Sequence, residues 1–523
     1  MMHFKSFRSL FGLLSTALAL ATGSAHAQNN LTVVCYHDIV DVAGPKDDPD
    51  AVTLGALTKE IQWLQRSNYH FVTLEEVLQA RQSGSALADK SVLLTFDDGY
   101  RSFYTHAYPM LQMLNVPATL AVVGSWVQPD AKGQVMVDGV VTPAQRFMTQ
   151  EQLKEVSDSG LVELTSHTFA LHKSVVANAM GSRIPAVIAR IYDARTGQTE
   201  PETTYEKRLS DDLQKNAEFL EHLTGKRPRA VVWPYGRYNG AALRAAKASG
   251  AQVTFTLDEL GTDWTTSQDT LGRKYIEGKP TLRTFADFIE RKPESGDAIR
   301  HVAVNMDAFV ADGKGLASPA EVEDRLSRFL DEVTSSNVTA VLVNPFSDEC
   351  KAFYPQSQHP VVRDVLSRVV WQLRSRAHVQ VYLDIDVAGC LNAGLARPEL
   401  LGLLSTTSFD GLVMRTDPQS QGFARELADV FHQEMPNRPV ASNVDFTNRT
   451  LMFQELNACR LPSEDNLKSL VVNKVWVELH AEGCSLPDAV HRLRDAGVRN
   501  WGAQVRSPSL TVPLVLRTPA TGN

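Results

Sequence analysis

Short apolar runs at residues 31–36, 91–96, 118–123, 162–165, 230–233 and 253–257 alternate with helical patterns at 58–67, 74–83, 107–114, 149–157, 205–224 and 240–248. This alternation constrains the chain more than any other feature. A strand apolar on both faces needs cover on both, and strand–helix repeats supply it around a parallel sheet. A second series follows, with strands predicted at 301–309, 340–346, 379–385, 412–415, 440–444 and 474–479 and helices at 319–333 and 361–376. Between the two series, Arg291-Lys292-Pro293-Glu294-Ser295-Gly296-Asp297 is polar and broken by Pro and Gly, and reads as a linker. With 523 residues the chain is long enough for two α/β domains, expected at 28–294 and 295–523.

Composition removes other classes. Gly (31) and Pro (25) are too few for a collagen-like or broadly disordered chain. A net charge of −8 lacks the basic footprint of nucleic-acid binding and suits a neutral or cationic partner. Lys5 and Arg8, an apolar run at 10–21 and Ala25-His26-Ala27 form a secretory leader pattern, expected to occupy 1–27 and to be removed before Gln28. Losing Lys5 and Arg8 takes the net charge from −8 to −10. The run is shorter than the roughly 20 residues that cross a bilayer, and no cysteine stands at the cleavage point. A soluble exported protein, periplasmic or secreted, is expected, with no integral membrane segment. Cys35, inside an apolar run, reads as a core residue. Cys350, Cys390, Cys459 and Cys484 show no metal-site spacing; one or two disulfides are expected among them, with Cys459 and Cys484 as the chosen pair.

Chemistry-bearing residues gather in the first half. Thr95-Phe96-Asp97-Asp98-Gly99 puts two carboxylates at the end of a predicted strand, where α/β folds build their sites. Alone, such a pair is usually a helix cap. Here Ser166-His167-Thr168-Phe169-Ala170-Leu171-His172 follows another strand and offers two imidazoles. With Asp98 they make a two-His, one-carboxylate metal set with open positions, leaving Asp97 as a general base. Trp233-Pro234-Tyr235-Gly236 makes a tight loop that can present a backbone N–H to a developing oxyanion. His37, in Cys35-Tyr36-His37-Asp38-Ile39, ends the first strand and can serve as an acid.

Taken together, TFDDG, SHTFALH and WPYG resemble the polysaccharide deacetylases of carbohydrate esterase family 4, and with CYHDI and VVGSWV resemble the PgaB-type branch, over about residues 30 to 280. The resemblance implies a circularly permuted, NodB-like (β/α) barrel. It implies Asp97 as base, Asp98, His167 and His172 as ligands of one divalent ion (zinc, nickel, cobalt or iron), Tyr235 as backbone oxyanion donor and His37 as acid. Trp233, Asp263, Trp264 and Arg273 are implied as substrate-facing or orienting residues. Where the common family form has an arginine that orients the base, this chain has Val232, and Arg273 is the candidate substitute. The implied activity is partial N-deacetylation of an exported N-acetylglucosamine polymer, most simply poly-β-1,6-N-acetyl-D-glucosamine of a biofilm matrix, with an outer-membrane export porin as a further partner. The alternatives are a non-catalytic glycan-handling factor and a deacetylase of another N-acetylglucosamine glycan, such as chitin oligomers or peptidoglycan.

The second half resembles the C-terminal glycan-binding domain of PgaB-type proteins through Phe353-Tyr354-Pro355 and 369–374, and is expected to be a second, barrel-like β/α domain. Where those proteins carry a His-Asp-Asp element, this chain reads Met414-Arg415-Thr416-Asp417, so a degenerate hydrolase that binds without cleaving is expected. Asp417 remains from the element, and Asp307, Asp384, Asp386, Asp445 and Glu478 supply acidic strand ends.

Overall fold

The computed structural model describes residues 31–505 apart from 43–49, 180, 259–269, 277–280, 291–298, 313–314, 348–349, 355–360, 391–402, 404–406, 408, 436–437, 445–449, 473–474 and 481–485. The expected leader, the linker, Asp263, Trp264, Asp445 and Cys484 lie outside the described residues.

The first half is a parallel sheet of β1 (Leu31–Tyr36), β2 (Ser91–Phe96), β3 (Ala118–Val122), β4 (Val162–Ser166), β5 (Ala230–Val232), β6 (Val253–Thr256), β7 (Thr270–Gly272) and β8 (Lys274–Tyr275). Hydrogen bonding runs in the order β7-β6-β5-β4-β3-β2-β1-β8, with the short strand His70–Phe71 also paired to β2. The two ends of this path are separated by one residue, Arg273. The segment 270–275 bonds β6 with its first half and β1 with its second, and so nearly closes the sheet into a barrel.

Side chains that alternate along the strands divide into two packed layers. Val33, Leu93, Ala121, Val232, Phe255 and Leu271 fill the barrel interior, while Val34, Leu94, Leu120 and Leu164 face the helices. Helix α1 (Leu54–Arg66) starts where the Thr53 hydroxyl accepts the Ala56 N–H, and it buries Leu57, Ile61 and Leu64. The long α2 (Glu202–Thr224) and α3 (Gly240–Ala248) cover β4 and β5, and α3 starts at an Asn239 cap.

The second half is a closed parallel barrel of β9 (Arg300–Asn305), β10 (Ala340–Asn344), β11 (Gln380–Asp386), β12 (Gly411–Arg415), β13 (Val440–Ser442), β14 (Thr450–Asn457), β15 (Trp476–His480) and β16 (Trp501–Val505). Strands β9 and β16 close it. Gly502 is required there, since a Cβ would lie 2.1 Å from the His301 carbonyl oxygen. Helices α4 (Leu366–Arg376) and α5 (Gln421–Glu434) belong to its outer layer.

Several expected boundaries move. The strand predicted at 301–309 stops at Asn305, whose side chain accepts the Asp307 N–H at 3.0 Å and turns the chain into a short helix. The helix predicted from 361 starts at Leu366, because Val361 is still bridged to Ala352. Cys350 and Cys459 each take part in a disulfide, and Cys35 is free and buried. No helix among the described residues is long and apolar enough to cross a membrane.

The two barrels meet through charge. Arg438 reaches Asp258 at 2.9 Å and Asp410 at 3.4 Å, while Arg374 and Arg237 approach Asp410 at 3.2 and 3.5 Å. Gly240, which opens α3, lets α5 come close: a Cβ there would lie 2.7 Å from the Gln433 carbonyl oxygen.

Candidate active site

Strand parity builds the site. Val33 pairs with Leu93 and Cys35 with Thr95, so continuing two residues along each strand puts His37 and Asp97 over the same end of the barrel. Arg273 follows Leu271 by two and joins them. Its guanidinium clamps Asp97 with two bonds, Nη1 to Oδ1 and Nη2 to Oδ2, both 2.8 Å, and Nη1 also donates to Thr95 Oγ1 at 3.1 Å. Asp97 and Arg273 are both buried. Burial alone would raise the Asp97 carboxyl, but the Arg273 charge and hydrogen bonds, with His167 and His37, together outweigh it and hold the group well below the usual carboxylate range.

Neighbouring aspartates point apart because the backbone turns between them. Asp98 has φ 74° and Gly99 φ 72°, both left-handed. That turn sends Asp98 Oδ1 to within 3.5 Å of His167 Nε2 and 3.4 Å of His172 Nε2. Burial raises the Asp98 carboxyl, and burial pushes both imidazoles down to about 4, so they are neutral near pH 7. The His167 Nδ1 lies 2.7 Å from the Val232 carbonyl oxygen, which can only accept, so Nδ1 carries the proton and Nε2 presents a lone pair to Asp98. Asp98 Oδ1 is buried with no hydrogen-bond partner. An orphaned carboxylate oxygen facing the His167 lone pair is repulsive unless a cation lies between them, and the Asp98, His167 and His172 donor atoms lie within 4.8 Å of one another. The set fits a divalent ion.

A support unread in the sequence holds the histidine loop. Asp212, on α2, accepts the Phe169 N–H at 2.7 Å and the Ala170 N–H at 2.8 Å. Asn216, one turn on, donates to Ser166 Oγ at 2.7 Å and to the Val122 carbonyl at 3.1 Å. Nothing local marks these two, since their partners lie more than 40 residues away. Trp126 packs its ring 4.8 Å from that of His172.

His37 Nε2 lies 3.8 Å from Asp97 Oδ2, and its ring meets Tyr275 edge-on at 5.0 Å. Cys35, a core residue by burial, also donates its thiol toward Asp97 Oδ2 at 3.5 Å. Tyr235 has φ 56° and ψ 17°. Gly236 follows at φ 65°, where a Cβ would lie 2.6 Å from the Leu257 nitrogen. This strained pair turns the loop so that the Tyr235 ring stands 4.8 Å from His172. Trp233 is buried and stacks on Tyr238 at 6.4 Å, a packing position.

In the second barrel, Asp384, Glu455 and Glu478 converge on one guanidinium. Arg415 bonds Asp384 at 2.7 and 2.9 Å and Glu478 at 3.2 Å, and it also pairs with Glu455. His480 adds a contact to Glu478 at 3.1 Å. Asp417 stands apart: its carboxylate caps a turn through the Ser420 and Gln419 N–H groups at 2.8 and 3.1 Å. Asp307 opens the short helix after β9. Asp386 lines the cavity at the barrel mouth with Arg415 and Glu455.

Comparison with known proteins gives this geometry a family. Residues 84–254 match the polysaccharide deacetylase family, and residues 315–389 match a hypothetical glycosyl hydrolase family 13. The poly-beta-1,6-N-acetyl-D-glucosamine N-deacetylase of Escherichia coli strain K12 is 33% identical over 362 residues, 69% of this chain and 53% of that protein. The protein of the same name from Staphylococcus epidermidis is 26% identical over 209 residues, covering 40% of this chain and 62% of the relative. A solved de-N-acetylase from Aggregatibacter actinomycetemcomitans is 33% identical, with a TM-score of 0.46, covering 49% of this chain and 99% of that one. The chain spans about half the length of the Escherichia coli relative it matches. The first barrel thus carries a polysaccharide deacetylase domain, matched over residues 84–254.

Proposed function

We propose that the first barrel hydrolyses the acetamide of N-acetylglucosamine units in an exported poly-β-1,6-N-acetyl-D-glucosamine. The observation that carries this reading is the divergence of adjacent carboxylates: Asp98 aimed at two imidazole Nε2 atoms, Asp97 clamped by Arg273. A divalent ion held by Asp98, His167 and His172, with zinc, nickel, cobalt or iron all chemically suited, would supply the Lewis acidity that acidifies water and polarises the acetamide carbonyl. Asp97, kept ionised by Arg273, accepts the proton of the attacking water. The Tyr235 backbone N–H donates to the oxyanion as the carbonyl carbon becomes tetrahedral. His37 gives a proton to the departing nitrogen as the C–N bond breaks, leaving acetate and a free amine. The second barrel holds glycan without cutting it, because Arg415 occupies the carboxylates that glycoside hydrolysis needs free. A partner at an outer-membrane porin and an extracytoplasmic location follow from the leader pattern and the polymeric substrate.

The test is acetate release from β-1,6- and β-1,4-linked N-acetylglucosamine oligomers by the full chain, stripped of metal and reconstituted. Metal-dependent release with β-1,6 preference supports the reading. No release from either oligomer overturns it, and preference for β-1,4 oligomers moves the substrate to chitin-like glycans.

A further inference from the structure

A cleft of about 650 Å³ lies between the barrels, within the roughly 300–1,000 Å³ range of ligand sites. One wall carries Tyr235 of the first barrel, and the other carries Trp371 on α4 of the second. The Tyr235 ring that lines the cleft also stands 4.8 Å from His172, so the cleft adjoins the candidate metal site. It is not the mouth of the second barrel: α4 leads into the start of β11, whereas Arg415 and its carboxylates sit at the opposite strand ends.

Two large aromatic side chains face this cleft while accessible to water, Tyr235 at 41% and Trp371 at 40%. The helix does not need Trp371 for its own packing, which rests on the buried Leu366, Val369, Val370 and Leu373. Exposed aromatic faces beside a reaction site are platforms for the apolar face of a ring. The charges on the walls are compensated: Arg237 and Arg374 lie on Asp410, and Arg183 lies 3.8 Å from Asp138. Three guanidiniums against two carboxylates leave no excess acceptor for an ammonium group.

We propose that this cleft is a substrate subsite for uncharged, still acetylated hexosamine units adjoining the one being hydrolysed, with Trp371 as the stacking platform. The identity of the sugar rests on the deacetylase reading. Its consequence is that a unit flanked by free amines is a poor substrate, so deacetylation is dispersed along the polymer rather than run in blocks.

Isothermal titration calorimetry on the full, metal-stripped chain tests this without turnover. The probes are a fully acetylated β-1,6 N-acetylglucosamine pentamer and its fully deacetylated counterpart. Trp371→Ala should weaken the acetylated pentamer about tenfold, move the deacetylated one less than twofold, and be largely rescued in Trp371→Phe. The proposal is overturned if the wild type does not bind the acetylated pentamer, if Trp371→Ala binds it within twofold of wild type, or if both probes weaken equally. Acetate release by reconstituted wild type separately tests the deacetylase reading, so the two failures are distinguishable.

Discussion

Asp97 and Asp98 are chemically identical neighbours given different work by their partners, and substitution should separate them. Asp97→Asn removes the proton acceptor and keeps Asp98, His167 and His172. It should retain about one divalent ion per chain by elemental analysis while acetate release falls roughly 100- to 10,000-fold; unchanged turnover would remove Asp97 as the base. Glu60 makes a second residue-scale case, far from the chemistry. It is buried on α1, accepts the Tyr36 hydroxyl at 2.9 Å, and is pushed up to about 7 by burial. A carboxyl raised on folding contributes stability that is fully present below its ordinary value of about 4.3 and is lost as pH rises through about 7. Glu60→Gln, which can still accept from Tyr36, should therefore flatten the fall in Tm between pH 5 and pH 8, a difference of up to about 3 kcal/mol. A wild-type Tm that does not fall over that interval would contradict this assignment.

At the scale of elements, the site depends on loops tied down from a distance. Asp212→Ala leaves the Phe169 and Ala170 N–H groups without their acceptor, at a cost of about 1–3 kcal/mol each. Since His172 sits on that loop, metal affinity should fall roughly 10- to 100-fold by competition with a chelating dye; wild-type affinity would show that the loop holds itself. This support also marks the limit of what the sequence discloses. Strands β1 to β6 and the motifs at their ends are legible, because long apolar runs and strand-end His and Asp residues are local signals. Asp212 is silent, since an exposed-looking acid on an amphipathic helix acquires its meaning only from the packing of α2. Strands β7 and β8 are three and two residues long, too short for any alternation to show. The geometry of Arg273 became visible only once strand pairing set it beside Asp97. In the second barrel, β14 reads Thr-Leu-Met-Phe-Gln-Glu-Leu-Asn, rich in helix formers, and tertiary pairing overrides that preference. Asp417, singled out by resemblance, is a turn cap, while Arg415, its neighbour two residues back, gathers the carboxylates.

For the whole molecule, the Asp410 carboxylate is shared by Arg374 and Arg438 of its own barrel and by Arg237 of the first, and Arg438 reaches across to Asp258, so one charge cluster spans the two barrels. Removing a buried partner from such a cluster costs about 3–5 kcal/mol because the remaining charges are left uncompensated. Asp410→Ala should split calorimetric unfolding into separate transitions for the two barrels; a profile superimposable on wild type would show that the cluster does not couple them. The first barrel holds a different kind of dependence. Its wall is completed only by the segment 270–275, the last of its strands along the chain, and Arg273 lies in the middle of that segment. The closing stitch and the cation that keeps Asp97 charged are therefore one event in the life of the polypeptide. A chain emerging from its amino end, or one interrupted before residue 270, has Asp98, His167 and His172 in hand while Asp97 still lacks its clamp. The wall and the clamp are finished in the same step.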